Sequence, residues 1–354
     1  MTTARSEIVD VSVTRWYHCV SKCVRGMRIL SDECGNDRKQ WIENRLKMLA
    51  QNFSVAVGGF AVMDNHLHVL CRLDPDVAKT WSPEDVIRRW IAIYPPRNLD
   101  LDDPKIVEIH VNHHAKDQKQ VEIYRDRLSN LGWFMKALKE PLSRMCNRAD
   151  GVKGTFWQAR FKSIAILDEE ALLATCAYID LNPVAAGISP VPETSRHTSI
   201  KQRLEHAKDC GKLDALKAAR HGSVAGSKAA GNFELDHWLV PLEDRRQLPG
   251  AQGGKHVREG MVGGFSLGSY LLLVEYTGRL FRNGKARIND GVKDVLERLG
   301  TSAEFWDDRI KKMLGSSDLR GCFFGCQEQS LEQVAEHRSK RIANLSPQLS
   351  SSVA

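Results

Sequence analysis

The sequence predicts an α+β fold in which a small antiparallel sheet carries helices on one of its faces. Three observations carry that expectation. Short stretches rich in aromatic and β-branched residues are interleaved with segments whose apolar residues recur at helical spacing. An Asp64-Asn65 turn signal separates two of the strand-like stretches, which makes them an antiparallel hairpin. The resulting order, β-α-β-β-α-β-α, suits helices packed against a sheet.

Residues 15–22 (Arg-Trp-Tyr-His-Cys-Val-Ser-Lys) read as the first strand. Asn36 is expected to cap a helix whose apolar positions Ile42, Leu46, Leu49 and Phe53 are helically spaced. Ser54 to Met63 is a second strand with a bulge at Gly58-Gly59, and His66 to Leu73 is a third. A polar region follows, with a helix from about Asp126 to Arg148 kinked or broken at Pro141. Phe161 to Leu167 is a fourth strand. Asp168 caps a helix running to about Asn182, which Pro183 and Gly187 end. Together these elements make one unit over residues 10–205. Residues 206–263 read as a linker or mobile region, because Lys208 to Gly231 is rich in Ala, Gly, Lys and Ser and Leu248 to Gly264 in Gly. Residues 264–340 form a mostly helical C-terminal unit, and the Ser-rich 341–354 a disordered tail.

Bulk composition excludes more than it selects. With 42% hydrophobic and 27% charged residues, the chain of 354 residues is that of an ordinary globular protein. It holds no apolar run of roughly 18 residues, so no membrane span is expected. The opening Met1-Thr-Thr-Ala-Arg-Ser-Glu has no apolar signal region, which argues for a cytoplasmic location. Nine scattered cysteines do not make a secreted disulfide framework, and Cys322 and Cys326, with no second pair, are a poor zinc signature. A formal charge of +7 is compatible with a polyanionic partner without demanding one.

Three motifs carry chemistry. In Asp64-Asn65-His66-Leu67-His68 the alternation of a strand puts His66 and His68 side by side on one face, a natural pair of ligands for a divalent cation. Two partly exposed strand histidines fit the same spacing. In Ala177-Tyr178-Ile179-Asp180-Leu181-Asn182-Pro183-Val184, helical spacing places Leu172, Leu173, Cys176 and Ile179 on a buried face. Tyr178 and Asn182, four apart, fall together on the side away from the core. There Tyr178 is either a packing residue or a phenol nucleophile beside an amide oxygen that completes a metal site. In Gly154-Thr155-Phe156-Trp157-Gln158-Ala159-Arg160-Phe161-Lys162, aromatics interleave with bases. That pattern suits stacking plus phosphate contact on single strands, or a core Trp-Phe pair flanked by solvated charges.

Taken with the Tyr-His-Cys-Val-Ser first strand, these motifs in this order resemble the single-tyrosine HUH transposases, and most of all the REP-associated tyrosine transposase branch, whose members process palindromic hairpin DNA. The resemblance covers roughly residues 10–205 and extends to Leu267–Arg279 and Gly284-Lys285 of the C-terminal unit. It implies a ferredoxin-like sheet, the HUH nuclease core, and a metal-dependent enzyme that nicks and rejoins single-stranded hairpin-bearing DNA through a 5′-phosphotyrosine. By the same resemblance His66 and His68 are metal ligands and Tyr178 is the nucleophile. Asn182 is the third ligand with Gln158 as the fallback, and Mg²⁺ or Mn²⁺ is the cofactor. From their own chemistry, Trp157, Arg160 and Lys162 would contact DNA, and a basic stripe of Arg279, Arg282, Lys285 and Arg287 is either an accessory DNA contact, whose loss by truncation after residue 205 would weaken binding without abolishing cleavage, or a solvated helix face. A homodimer is one of two oligomeric states left open, and no membrane partner is expected. The family's Asn-Pro-Val segment commonly continues Arg-Ala-Gly, whereas this chain has Ala185-Ala186-Gly187, so one phosphate contact is in doubt.

The alternative function is that of a domesticated, catalytically silent hairpin-DNA-binding protein. A hydrolytic metal site at His110, His113 and His114 lacks a Glu at the spacing such helices use. An RNA-binding sheet would show exposed aromatics in RNP-like spacing, which are absent.

Overall fold

The computed structural model describes residues 8–34, 37–220, 233–244 and 259–283, with 302, 304–307, 323–325, 332, 334 and 336. Asn36, Lys285, Arg287, the cysteines 322 and 326 and the 341–354 tail lie outside these residues, as do the side chains of Arg279 and Arg282.

Four strands, β1 (Trp16–Lys22), β2 (Val55–Val62), β3 (His66–Leu73) and β4 (Lys162–Ile166), form an antiparallel sheet in the order β2-β3-β1-β4. A two-residue strand, Phe323–Phe324, adds in parallel beside β4. The pairing of β2 with β3 shifts register between Val57 and Gly59, the bulge expected at the Gly-Gly pair. A Cβ on Gly58 would lie 2.7 Å from the Trp16 ring and 2.9 Å from the Met261 methyl, so the site is closed to larger residues.

Helix α1 (Arg38–Asn52) follows β1, and the Asp37 side chain caps it by accepting from the Gln40 N–H. Between β3 and β4 run α2 (Pro75–Lys79), α3 (Pro83–Ile93), α4 (Pro104–His114), α5 (Gln118–Leu128) and α6 (Leu131–Ala149). The single helix expected from Asp126 is therefore two. The break falls at Asn130, whose Oδ1 accepts from the N–H groups of Gly132 (2.8 Å) and Trp133 (3.2 Å) and starts α6 afresh. Pro141 sits within α6 without ending it. After β4 the chain enters α7 (Glu169–Ala185), capped by Asp168 as expected and continuing three residues past Asn182 through Pro183. Then come α8 (Ser199–Asp209), α9 (Leu213–Arg220) and α10 (Leu267–Asn283).

Helices cover both faces of the sheet, not one. Along β3, Leu67, Val69, Cys71 and Leu73 enter a core with Ile42, Leu46 and Leu49 of α1 and Phe134 and Leu138 of α6. Leu70, of the opposite parity, packs in a second core with α7 and α10. The physical reason is that β2 is apolar on both sides and that Leu70 of β3 and Ile164 of β4 add apolar surface to the histidine face, so either face left in water would lose burial. Helix α10 is bound into that second core. Tyr270 Oη donates to Asp180 Oδ2 of α7 (2.5 Å), and the indole Nε1 of Trp306 donates to Thr277 Oγ1 (3.0 Å). Asp180 Oδ1 accepts from Ser199 Oγ (2.7 Å) and from the Ile200 N–H (3.0 Å), at the start of α8. Ser199 Oγ in turn accepts from the Phe60 N–H of β2 (3.0 Å). One buried carboxylate thus ties α7, α8, α10 and the sheet together.

Candidate functional site

The parity that buries Leu67 and Val69 under α1 turns His66 and His68 to the other face, beneath α7. Their ring centroids lie 4.8 Å apart. Tyr178 descends from α7 onto His68, with centroids 5.4 Å apart and rings nearly perpendicular. Its side therefore faces the sheet, not solvent. Helix α7 is buried on all sides from Glu170 to Pro183, so the outward face inferred from its spacing does not exist. Tyr178 is 9% exposed, and Asn182, one turn on, is equally buried. Asn182 Nδ2 donates to the Tyr178 carbonyl (2.9 Å), and its amide also hydrogen-bonds the His66 ring and the phenol. Gln158 is exposed, and its backbone N–H donates to the Lys22 carbonyl (2.9 Å). Contacts with His66 and Tyr178 thus belong to Asn182.

A third imidazole joins the pair from β1. His18 Nε2 lies 2.9 Å from His68 Nδ1, and its ring stacks on that of His68 at 5.1 Å and meets the Tyr178 ring edge-on at 5.9 Å. On the His66 side, Asn65 Oδ1 sits 2.6 Å from Nδ1, while Asn65 Nδ2 donates to the Gly26 carbonyl (3.2 Å). Burial and the Lys162 charge push the His18 pKa down to about 3. Burial and Lys22 push His66 down to about 4, against hydrogen bonding from Asn182 and the charge of Asp64. Burial, then the neighbouring imidazoles and Lys22, lower His68 as well. All three rings are neutral at pH 7, the form in which imidazole binds a cation. Burial raises the Tyr178 phenol, with the Asn182 hydrogen bond acting the other way.

The donor set fits a divalent cation on one specific ground. His68 is 3% exposed, and its Nε2 is buried without a hydrogen-bond partner. An orphaned buried nitrogen of this kind costs stability unless something occupies its lone pair. Among the described residues no group of three or more His, Cys, Asp and Glu side chains is arranged to hold a metal ion, so a cation here would rest on two imidazoles and an amide. His110, His113 and His114 sit together on α4, where the His110 and His114 rings approach to 4.2 Å, with no carboxylate or thiol completing a site.

Two cations flank the histidines. Lys22, exposed at the end of β1, pairs in register with His66, and Lys162 opens β4 opposite Val20 on the same face. Trp157 sides with the core: it is buried, and its Nε1 donates to the Lys139 carbonyl (3.2 Å). It also lines the groove in which Arg160 stands. Arg160 is exposed beside a groove of about 270 Å³ that Lys136, Lys139 and Phe161 also line. Ala185, where the resemblance led to an arginine being expected, is exposed.

Sequence reasoning left His18, Lys22 and Asn65 without roles. The signal was present in strand parity, since His18 and Lys22 share one face of β1, but it needed the β1–β3 register to be read. No helix among the described residues is long and apolar enough to cross a membrane.

No family model matches the chain, and no curated protein matches it. A solved structure of a REP-associated tyrosine transposase bound to a REP hairpin is similar at 14% identity with a TM-score of 0.31, covering 52% of this chain and 76% of that one. Likeness at that level marks at most a distant relationship and says nothing about chemistry. The chemistry rests on the residues described above.

Proposed function

We propose that this chain is a single-tyrosine HUH nuclease of the REP-associated kind, which nicks and rejoins single-stranded, hairpin-bearing DNA through a 5′-phosphotyrosine. The observation that carries the reading is the meeting of His66, His68, Tyr178 and Asn182 in one cluster, with the buried Nε2 of His68 lacking a partner. The β2-β3-β1-β4 order with antiparallel neighbours supports the ferredoxin-like core that such nucleases use.

His66 and His68, with Asn182, would hold Mg²⁺ or Mn²⁺, and nitrogen donors favour Mn²⁺. That ion, when bound, supplies positive charge to the scissile phosphate and its departing 3′-oxygen. Lys22 and Lys162 draw the strand's phosphates toward the same face. Tyr178, protonated at rest, gives up its phenolic proton as its oxygen bonds to phosphorus. The P–O3′ bond breaks, leaving a 3′-hydroxyl and a 5′-phosphotyrosine. Burial around Tyr178 limits water at that ester, so another 3′-hydroxyl can reverse the step and rejoin DNA.

The test is covalent capture. Protein, Mn²⁺ and a 5′-extended single-stranded hairpin should give a denaturation-resistant adduct that carries label only from the 3′ side of the cut. Tyr178→Phe should bind within a few-fold of wild type and form none. An adduct persisting in Tyr178→Phe moves the nucleophile elsewhere. No adduct in wild type across several hairpins favours the silent hairpin-binding alternative.

A further inference from the structure

We propose that His18 is a positioning residue whose Nε2 accepts the Nδ1 proton of His68, so that His68 presents a bare Nε2 to a cation. The proposal rests on the metal-site reading above and assigns a role to a residue that never meets the metal itself.

A neutral imidazole carries one proton on either of two nitrogens, and only the other can bind a cation. In water the choice is open, and inside a protein the hydrogen-bond partner makes it. For His66 the partner is Asn65. Its amide cannot be turned around without losing the bond from Nδ2 to the Gly26 carbonyl, so Oδ1 faces His66 Nδ1 and takes its proton. His66 Nε2 is thereby left as an acceptor.

For His68 the partner is His18. The two strands pair antiparallel with Val20 opposite His68 and His18 opposite Leu70, so His18 reaches its partner diagonally across the sheet. Its Nε2 stops 2.9 Å from His68 Nδ1, and both rings are buried. Of the two ways to share one proton, only donation by His68 leaves its Nε2 free for a ligand. That atom is the one without a partner. The opposite tautomer would bury an N–H there with nothing to receive it, a desolvation loss with no return. Each imidazole of the pair therefore has its own acceptor at Nδ1: an amide oxygen for His66 and a histidine for His68. The His18 ring also backs the Tyr178 ring at 5.9 Å, so one side chain braces both the cation ligand and the nucleophile.

The experiment measures Mn²⁺ binding by the full chain without DNA, from the loss of the free-ion EPR signal, alongside thermal melts. His18→Leu removes the acceptor and should weaken Mn²⁺ binding about 10–100-fold, the usual effect of losing such a partner. His18→Gln restores an acceptor oxygen and should recover most of it. Wild-type affinity in a folded His18→Leu overturns the proposal, as does a folded His18→Gln that is as weak as His18→Leu. His66→Ala separates this from failure of the metal site. If His66→Ala loses the ion while His18→Leu keeps it, the role of His18 falls alone. If wild type binds no better than His66→Ala, the metal site falls and the proposal with it. Should His18→Leu not fold, nitrogen-15 NMR of the metal-free wild type decides. The His68 ring, assigned by its absence in His68→Ala, should show a protonated Nδ1, and a protonated Nε2 overturns the assignment.

Discussion

Replacing Tyr270 by Phe removes one oxygen and no packing volume, which isolates the bond from α10 to Asp180. Both partners are fully buried, and the bond is 2.5 Å long. A hydrogen bond to a charged group is worth about 1.5–3 kcal/mol. Asp180 keeps its bonds from Ser199 and Ile200, so a loss of about 2 kcal/mol is expected, a factor of roughly 30 in the folding equilibrium. The loss should depend on pH. Burial raises the Asp180 pKa, and the hydrogen bonds from Tyr270, Ser199 and the Ile200 amide pull it back down. Because the folded value lies above the unfolded one, the carboxyl lends stability in acid that is lost as pH rises through its folded pKa. Without the Tyr270 donor that pKa climbs further. The deficit of Tyr270→Phe is then smallest in acid, where Asp180 is protonated in both proteins, and full only once Asp180 has ionised in both. Urea melts from mildly acidic to neutral pH read this directly. A deficit under about 0.5 kcal/mol at neutral pH, the scale of inert surface changes, would refute the reasoning. So would a deficit that shrinks as pH rises.

Other expectations follow from the same contacts. Truncation after residue 205 was expected from the sequence to spare cleavage. Removing Tyr270, Leu273 and Val274 from the second core should instead abolish the cooperative melt and cleavage together, checked by circular dichroism and the adduct assay. Gly58→Ala drives a methyl into Trp16 and Met261 and should cost about 1–3 kcal/mol in urea melts. Lys22→Ala and Lys162→Ala should each lower the slope of log affinity for a single strand against log salt by about 0.7, measured by fluorescence anisotropy.

Much of the site could be read locally. Strand parity paired His66 with His68, the residues of β3 were bounded correctly by turn signals, and the Asp168 cap started α7 where the sequence placed it. What escaped depends on distant partners. Helix α7 is apolar around its whole circumference from Ala171 to Ile179, so periodicity could not say which way Tyr178 points. Only the sheet on one side and α10 on the other decide that. The His18–His68 contact spans fifty positions and needs the register of β1 on β3. The hydrogen bond from Trp157 Nε1 to the Lys139 carbonyl of α6 likewise joins residues eighteen positions apart.

The link from Asp180 to Tyr270 also sets a clock during synthesis. Strands β1 to β3, with His66 and His68, leave the ribosome early, and Tyr178 follows after β4. Helix α7 has no finished outer face until position 270 has emerged. At about 5–20 residues per second, roughly 5–18 s separate Tyr178 from the side chain that anchors its helix. A nascent chain in that interval carries the paired imidazoles but not a seated tyrosine. On the function proposed above, cutting would be reserved for chains extended at least through α10.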